Sequence, residues 1–475
     1  MGNNKYYYLV KNIGVLTLSN FASKILSFFL IPLYTNILTA SEYGVYDMVS
    51  TTVLLLIPIL TFNIEEPVMR FAMERGVDRS HVFTIGIEYL MKSYIIVLTV
   101  LILNKLFRIV PLTNSQMIFF FLFYVVNALS GIVFCFARGL GMMTDVAISS
   151  IITTVIVIVS NIVCLVYLSL GLTGYFIATI LGTLIQSIYL LVRIRYWEFY
   201  RPRERDIQLK QEMLSYGKPM IANSVSWWIN SMSDRYVVVW FCGIAENGIY
   251  SVASKIPLIL NILQSIFNQA WVLSAVQEYD EEDGEGFFSN VYNQYSALMV
   301  IMCSVLIVAD RPLAKFLYAK EFYVAWRYVP FLLIAIVFGA MSGYLGGIFS
   351  AVKQAKSSAR STMIGAAANI VLNVLLVPLF GALGAAIATA VAYLIVWIIR
   401  IYYAQKYMKL EIHIKRDGIA YFILLVQSFF VLAFEENNVA IYAVLSILLV
   451  GIIILYHKVL AGVFEVIWIR LRKSE

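Results

Sequence analysis

Fourteen apolar runs, each about the twenty residues that a helix needs to cross a bilayer, set the terms on which this chain can fold. They lie at about 11–38, 44–66, 82–106, 115–138, 145–169, 173–196, 215–241, 247–271, 288–310, 326–351, 359–379, 382–406, 418–435 and 439–458. A segment in lipid must satisfy its backbone polar groups internally, which leaves helices or a closed barrel. Runs this long and this apolar specify helices. The expected fold class is therefore an all-α polytopic membrane protein with about 14 transmembrane helices. Some joins are barely a turn, such as Thr39–Tyr43, Gly171–Leu172 and Gly381–Ala382, so those neighbours form antiparallel hairpins. Composition excludes a soluble globule. Of 475 residues, 61% are hydrophobic and 13% charged, against roughly 45–50% and about 25% in soluble domains.

Several chemistries are excluded at the same stage. Cys135, Cys164, Cys242 and Cys303 stand singly in apolar runs, without the spacing of a disulfide framework or a metal site. His81, His413 and His457 sit near span ends and belong to no ligand motif. No catalytic set, metal site or cofactor is expected. The first span follows Lys5 and Lys11 with no small-residue cleavage site, so it reads as a retained helix.

Orientation follows from the basic residues. With the N-terminus inside, 25 of the 35 Lys and Arg fall in inner segments, six in outer joins and four (Lys24, Lys92, Arg235 and Lys255) within spans. Both termini are expected on the cytoplasmic side. The basic stretch Arg193–Lys210 is too short for a domain and lacks a stacking-aromatic pattern, so it reads as a topogenic loop against anionic lipid. No nucleic-acid partner is expected.

An internal repeat gives the organisation. Ser41-Glu42-Tyr43-Gly44-Val45-Tyr46 returns as Ala245-Glu246-Asn247-Gly248-Ile249-Tyr250. The turn Gly171-Leu172-Thr173-Gly174 with Ile177-Ala178-Thr179 returns as Gly381-Ala382-Leu383-Gly384 with Ile387-Ala388-Thr389, and Asn161-Ile162-Val163 matches Asn369-Ile370-Val371. Six spans separate the copies, an even number, so both enter the membrane from the same side as parallel repeats. Two six-helix lobes and two additional helices follow. The expected divisions are an N-lobe over 1–197, a cytoplasmic basic linker over 198–210, a C-lobe over 211–407, and the last two helices with a tail over 408–475. Small residues in Gly339-x3-Gly343-x3-Gly347 point to tight helix packing.

Charges inside spans are costly and mark candidate functional residues. Lys24, Arg235 and Lys255 fall on corresponding hairpins of the two lobes, where a cationic pocket would suit a phosphate or pyrophosphate headgroup. They are the candidate substrate-binding residues, Arg gripping as a fork and Lys as a point charge. The competing reading is mutual neutralisation, Asp234 with Lys255 and Asp47 with Lys24. Asp47, Asp234 and Glu88 are the candidate ion-coupling acids, with Glu88 also placed to pair with Lys92 four residues on. Trp227, Trp228 and Trp271 could stack on sugar rings or serve as lipid-facing bulk.

The opening Asn20–Tyr46, with its pattern NxxxKxxxFFLIPLYTNILTASEYGVY, carries a family resemblance. So do Arg138-Gly139-Leu140-Gly141, with its counterpart Ala351–Lys356, and the GxxGxxIAT turns. Together these resemble the polysaccharide-transporter branch of the multidrug/oligosaccharidyl-lipid/polysaccharide (MOP) exporter superfamily. That branch includes O-antigen and capsule repeat-unit flippases of the Wzx type and lipid II flippases. The resemblance spans essentially the whole chain and implies a MATE/MOP-like fold. It implies alternating access by rocking of two lobes around a cationic cavity. The implied cargo is an undecaprenyl-pyrophosphate-linked oligosaccharide, moved from the inner to the outer leaflet of a bacterial cytoplasmic membrane with ion coupling. Membrane lipids, a polysaccharide polymerase and chain-length machinery are the implied partners. The last two helices resemble the extra pair that helps form a lipid groove in lipid flippases. The family's cavity cations are carried over as a group onto Lys24, Arg235 and Lys255. Two alternatives remain. A drug/cation antiporter of the same superfamily would have about twelve spans and an apolar or acidic cavity. A membrane polysaccharide polymerase or ligase would need a sizeable outer loop, and the longest here is about Arg311–Ala325, with Lys315, Lys320 and Glu321.

Overall fold

A computed structural model describes residues 28–202, 206–279, 283, 286–352, 354–434 and 439–462. The described residues are helical, with no strand among them. They divide into two compact units, Met1–Trp228 and Ile229–Glu475.

In the first unit the principal helices are α1 (Ala40–Leu60), α2 (Glu65–Met73), α3 (Arg79–Phe107), α4 (Asn114–Gly139), α5 (Met143–Asn161) and α6 (Gly171–Ile194). α7 (Ile207–Cys242) starts in this unit and continues into the second. Residue chemistry sets where they begin. The Thr39 hydroxyl accepts from the Glu42 amide while the Glu42 carboxylate accepts from the Thr39 amide, a reciprocal cap on α1. Thr113 and Gln116 repeat the device on α4. Inside, Phe83, Phe136, Tyr124, Ile132 and Val68 form a fully buried core.

The second unit holds α8 (Ile244–Ala253), α9 (Pro257–Gln277), α10 (Phe287–Val308), α11 (Asp310–Leu317), α12 (Val329–Ala351), α13 (Ala355–Phe380), α14 (Ala382–Ala404), α15 (Ile414–Ala433) and α16 (Val439–Leu455). α12 is its axis. Trp271 of α9 stacks on Tyr344 at 4.1 Å and donates to the Tyr344 carbonyl at 2.8 Å. A Cβ on Gly347 would lie 2.5 Å from the Trp271 ring, so the small-residue stripe is what admits the indole. The last two helices are pinned to α10 by polar bridges. Ser304 donates to Gln427 at 2.9 Å, and Gln427 donates to the Leu445 carbonyl at 3.1 Å.

The two repeat turns have one backbone logic. Gly171 and Gly381 both adopt left-handed conformations, φ +52° and +61°, which a Cβ would disfavour. Three residues on, Gly174 and Gly384 receive the end of the preceding helix. A Cβ there would lie 3.0 Å from the Cys164 carbonyl oxygen and 2.3 Å from that of Leu376.

Ten of the described helices are long and apolar enough to span a membrane, and the bent pair α8–α9 adds an eleventh. The remaining expected spans have identifiable fates. The first lies mostly outside the described residues. The segment about 215–241 lies within α7, which does not pass as a span, and α16 is a shorter apolar helix. One expectation needs correction. The run about 247–271 is not straight: it breaks by 53° at Ser254–Ile256, because Pro257 has no amide to continue a helix and opens a new one. The run about 288–310 is α10, Phe287–Val308, and Asp310 beyond it begins a separate short helix.

Candidate functional site

α7, α8, α13 and α14 bring a cluster of oxygen-bearing side chains together inside the second unit. Asp234 is 7% exposed, and its carboxylate accepts from the Tyr250 hydroxyl at 2.6 Å. Tyr250 is also within hydrogen-bonding reach of Thr389. Asn369 donates to the Thr389 hydroxyl at 3.3 Å, and Ser233 reaches the Asn369 side-chain oxygen at 3.4 Å. One turn on, Asn373 donates to Asn369 at 3.0 Å, while its own side-chain oxygen is buried with no partner among the described residues. The cluster therefore offers one carboxylate and several neutral oxygens within apolar helices. Oxygen donors of this kind suit hard cations. The described residues contain no group of three or more His, Cys, Asp and Glu able to hold a metal.

The expected cations fall around this cluster unevenly. Arg235 is half-buried, next to Asp234 in sequence and within electrostatic reach of Tyr250. Lys255 occupies the break between α8 and α9, also half-buried. It makes no ion pair among the described residues, so the Asp234–Lys255 neutralisation expected from sequence does not form, and the hydroxyl of Tyr250 meets the carboxylate instead. Lys24 lies outside the described residues.

The other two acids belong to the first unit. Asp47 is buried on α1. Glu88 on α3 is held between Lys92 at 2.6 Å and Lys210 at 2.8 Å. The i,i+4 pair is present, and Lys210 adds a tie to the start of α7.

The aromatic expectation changes as well. Trp271 is buried in the α9–α12 contact, and Trp228 is buried with its indole donating to the Thr51 carbonyl at 2.9 Å. Neither presents a free face to a sugar. Trp227 is exposed.

One functional candidate escaped the sequence reading. Arg400 of α14 has no carboxylate partner among the described residues. It donates instead to the Ser342 carbonyl at 2.6 Å and to Ser361, Ser358 and Thr362 at 3.0–3.3 Å. One guanidinium thus ties α14 to α12 and α13. Its place near a span end made it look topogenic. The hydroxyl-rich stretch Ser357-Ser358-Ala359-Arg360-Ser361-Thr362 at the start of α13 was the available signal.

Comparison with known proteins fits this architecture. No curated protein sequence matches the chain. The solved structure of lipid II flippase MurJ, in an inward closed conformation, is similar with a TM-score of 0.65 at 14% identity, covering 94% of this chain and 99% of that one. An inward-facing multidrug resistance MATE family transporter of the MOP superfamily gives 0.62 at 13%, covering 82% and 95%. A MOP superfamily transporter from Pyrococcus furiosus gives 0.52 at 14%, covering 84% and 94%. At such identities the likeness is one of fold. The family described as polysaccharide biosynthesis protein matches residues 9–273, more than half of the sequence, and the chain therefore belongs to that family, on the fold of the MOP-superfamily transporters.

Proposed function

We propose that the protein is a flippase that moves a lipid-linked oligosaccharide across the membrane by alternating access, coupled to a cation held at Asp234. The observation that carries this reading is the buried Asp234–Tyr250–Asn369–Asn373–Thr389 cluster, with Arg235 next to Asp234 in sequence and Lys255 at the break after α8. Burying a carboxylate among apolar helices costs several kcal/mol unless it is compensated. The Tyr250 hydroxyl and the Arg235 amide already donate to Asp234, and a bound cation would add to that compensation. One carboxylate among neutral oxygens matches a monovalent cation better than a divalent one, which draws more carboxylates. Arg235, Lys255 and Lys24 are the groups assigned to a pyrophosphate headgroup, where opposite charge and Arg fork geometry both favour binding. The family match supports a polysaccharide-related cargo.

In its finer form the proposal is an undecaprenyl-pyrophosphate-linked repeat unit, of the O-antigen or capsule kind. It is carried from the inner to the outer leaflet of a bacterial cytoplasmic membrane, with both termini inside. A polymerase with its chain-length machinery would take the product. The protein would be a transporter and not an enzyme.

Transport of a labelled undecaprenyl-pyrophosphate oligosaccharide in proteoliposomes tests this. Arg235→Ala and Lys255→Ala are each expected to slow transport about tenfold, corresponding to about 1.4 kcal/mol of lost stabilisation. Variants that transport at the unsubstituted rate would remove both residues from the binding site. Elongation or ligation of glycan by the purified protein alone would favour the polymerase or ligase reading. Drug-for-cation exchange without lipid movement would favour the antiporter.

A further inference from the structure

A second charged recess lies in the second unit, away from the Asp234 cluster. It is a cavity of about 460 Å³ where the starts of α10 and α15 meet the end of α16. Arg416, Lys458, His413 and His457 line it together with the amides of Asn290, Asn293 and Gln294, and no carboxylate does among the described residues.

Arg416 is built in. Its Nε and Nη2 donate to the fully buried Asp417 carboxylate at 2.9 and 2.7 Å, and Nη2 also donates to Asn293 at 2.6 Å. The guanidinium lies over the Tyr456 ring at 4.6 Å, and Tyr456 donates to the same carboxylate at 2.9 Å. Nη1 makes no described hydrogen bond, so one edge of a fixed guanidinium remains for a ligand. Lys458 is exposed and has no ion pair among the described residues. His457 donates from Nδ1 to the Ile454 carbonyl at 2.7 Å, which leaves Nε2 outward. Among the described residues Asp417 offsets the charge of Arg416, and Lys458 then leaves the lining net positive. The start of α15, at Ile414, has no side-chain cap and adds the positive end of a helix dipole.

From this geometry we infer a binding site for the phosphate of an anionic phospholipid headgroup, with Arg416 and Lys458 holding the phosphate oxygens and the amides of α10 holding the glycerol side. Leu455, Val459 and Gly462 form an apolar margin on α16 and the residues after it, where acyl chains can run. Charge, a fixed Arg edge and an adjoining apolar wall together favour a lipid over a free anion. The site does not depend on which cargo the protein carries.

The full chain in nanodiscs of phosphatidylcholine and phosphatidylglycerol, analysed by native mass spectrometry for retained lipid, tests the site. Lys458→Glu is expected to lower retained phosphatidylglycerol at least about fivefold while leaving phosphatidylcholine unchanged. Arg416→Lys, which keeps the charge and loses the fork, should fall between the two. Arg195→Glu, an exposed cation in the other unit, serves as the control and should retain the lipid. Equal phosphatidylglycerol retention in Lys458→Glu, Arg416→Lys and the unsubstituted protein would overturn the proposal. So would thermal stabilisation by inorganic phosphate combined with no preference for phosphatidylglycerol over phosphatidylcholine, since the occupant would then be a soluble anion.

Discussion

Asp310 isolates the effect of burying one carboxyl without a partner. It is fully buried just beyond the last turn of α10, and neither carboxyl oxygen has a hydrogen-bond partner among the described residues. Loss of hydration pushes its pKa well above the ordinary carboxylate range, opposed only by the neighbouring Arg311 guanidinium. Arg311 is directed elsewhere, to the Val431 and Phe434 carbonyls at the end of α15 and over the Trp326 ring at 4.2 Å. The neutral acid is therefore the form that fits the fold. Its contribution is fully present below the ordinary carboxylate pKa and is lost as pH rises through the raised value. Asp310→Asn should flatten the dependence of melting temperature on pH between about 5 and 9 and raise it at the alkaline end. Parallel curves for variant and parent would mean that Asp310 is ionised throughout. Residues of this kind are only half legible in a sequence. Asp234 was conspicuous because a charge interrupts an apolar run. Asn369 and Thr389 were visible only as marks of the repeat, since uncharged polar residues are common in spans and only the fold puts them beside a carboxylate. Arg311 looked like part of a solvated outer join, and its burial depends on α15 reaching back across α10.

At the scale of elements, the turns were the most legible feature and the bends the least. The short joins at Gly171–Leu172 and Gly381–Ala382 predicted hairpins, and the structure shows why glycine stands there: a left-handed backbone and a close helix approach both require the absence of a Cβ. The strength of that requirement can be measured. Gly384→Ala would put a methyl 2.3 Å from the Leu376 carbonyl oxygen and 2.5 Å from its carbon, and backbone cannot give way as a flexible side chain can. A loss of about 1–3 kcal/mol follows from overpacking of this kind. It would be read as a lower melting temperature and a reduced monodisperse fraction in detergent. Gly451, where an added Cβ meets nothing within 4 Å, should tolerate the same change. Comparable losses at both positions would show that helix propensity, and not the close approach, sets the effect. The break at Ser254–Ile256 was missed for a different reason. Hydropathy averages over Pro257 and sees one continuous run, although the missing amide was present in the sequence.

For the whole molecule the decisive point is that the scaffold is repeated and the oxygen cluster only in part. In the first unit the counterpart of Asn369 is Asn161, whose amide donates to the Val157 carbonyl of its own helix at 2.8 Å. The counterpart of Thr389 is Thr179, whose hydroxyl returns to the Tyr175 carbonyl at 2.9 Å. Asn161 serves its own backbone, while Thr179 is also within hydrogen-bonding reach of Tyr46, the counterpart of Tyr250. The neighbourhood is filled by Tyr34, Tyr43, Tyr46 and Tyr175 in ring contact. Asp47 is buried nearby in sequence, so charge alone does not separate the two units. In the second unit Asp234 accepts from Tyr250, Tyr250 is within reach of Thr389, and Asn369 donates to Thr389, an array of oxygens suited to a cation. If that array holds the coupling ion, the two acids must behave differently. Sodium chloride, against a choline chloride control of equal ionic strength, should raise the melting temperature of the parent protein and of Asp47→Asn alike. Asp234→Asn should abolish the increment, because a ligand stabilises only the state that binds it. Tyr250→Phe should leave part of it, since a hydrogen bond to a charged group contributes about 1.5–3 kcal/mol and the carboxylate itself remains. An equal loss in Asp47→Asn and Asp234→Asn would place the ion with both acids, and the repeat would then be functional as well as structural. An increment unchanged in Asp234→Asn would leave the cluster as packing alone.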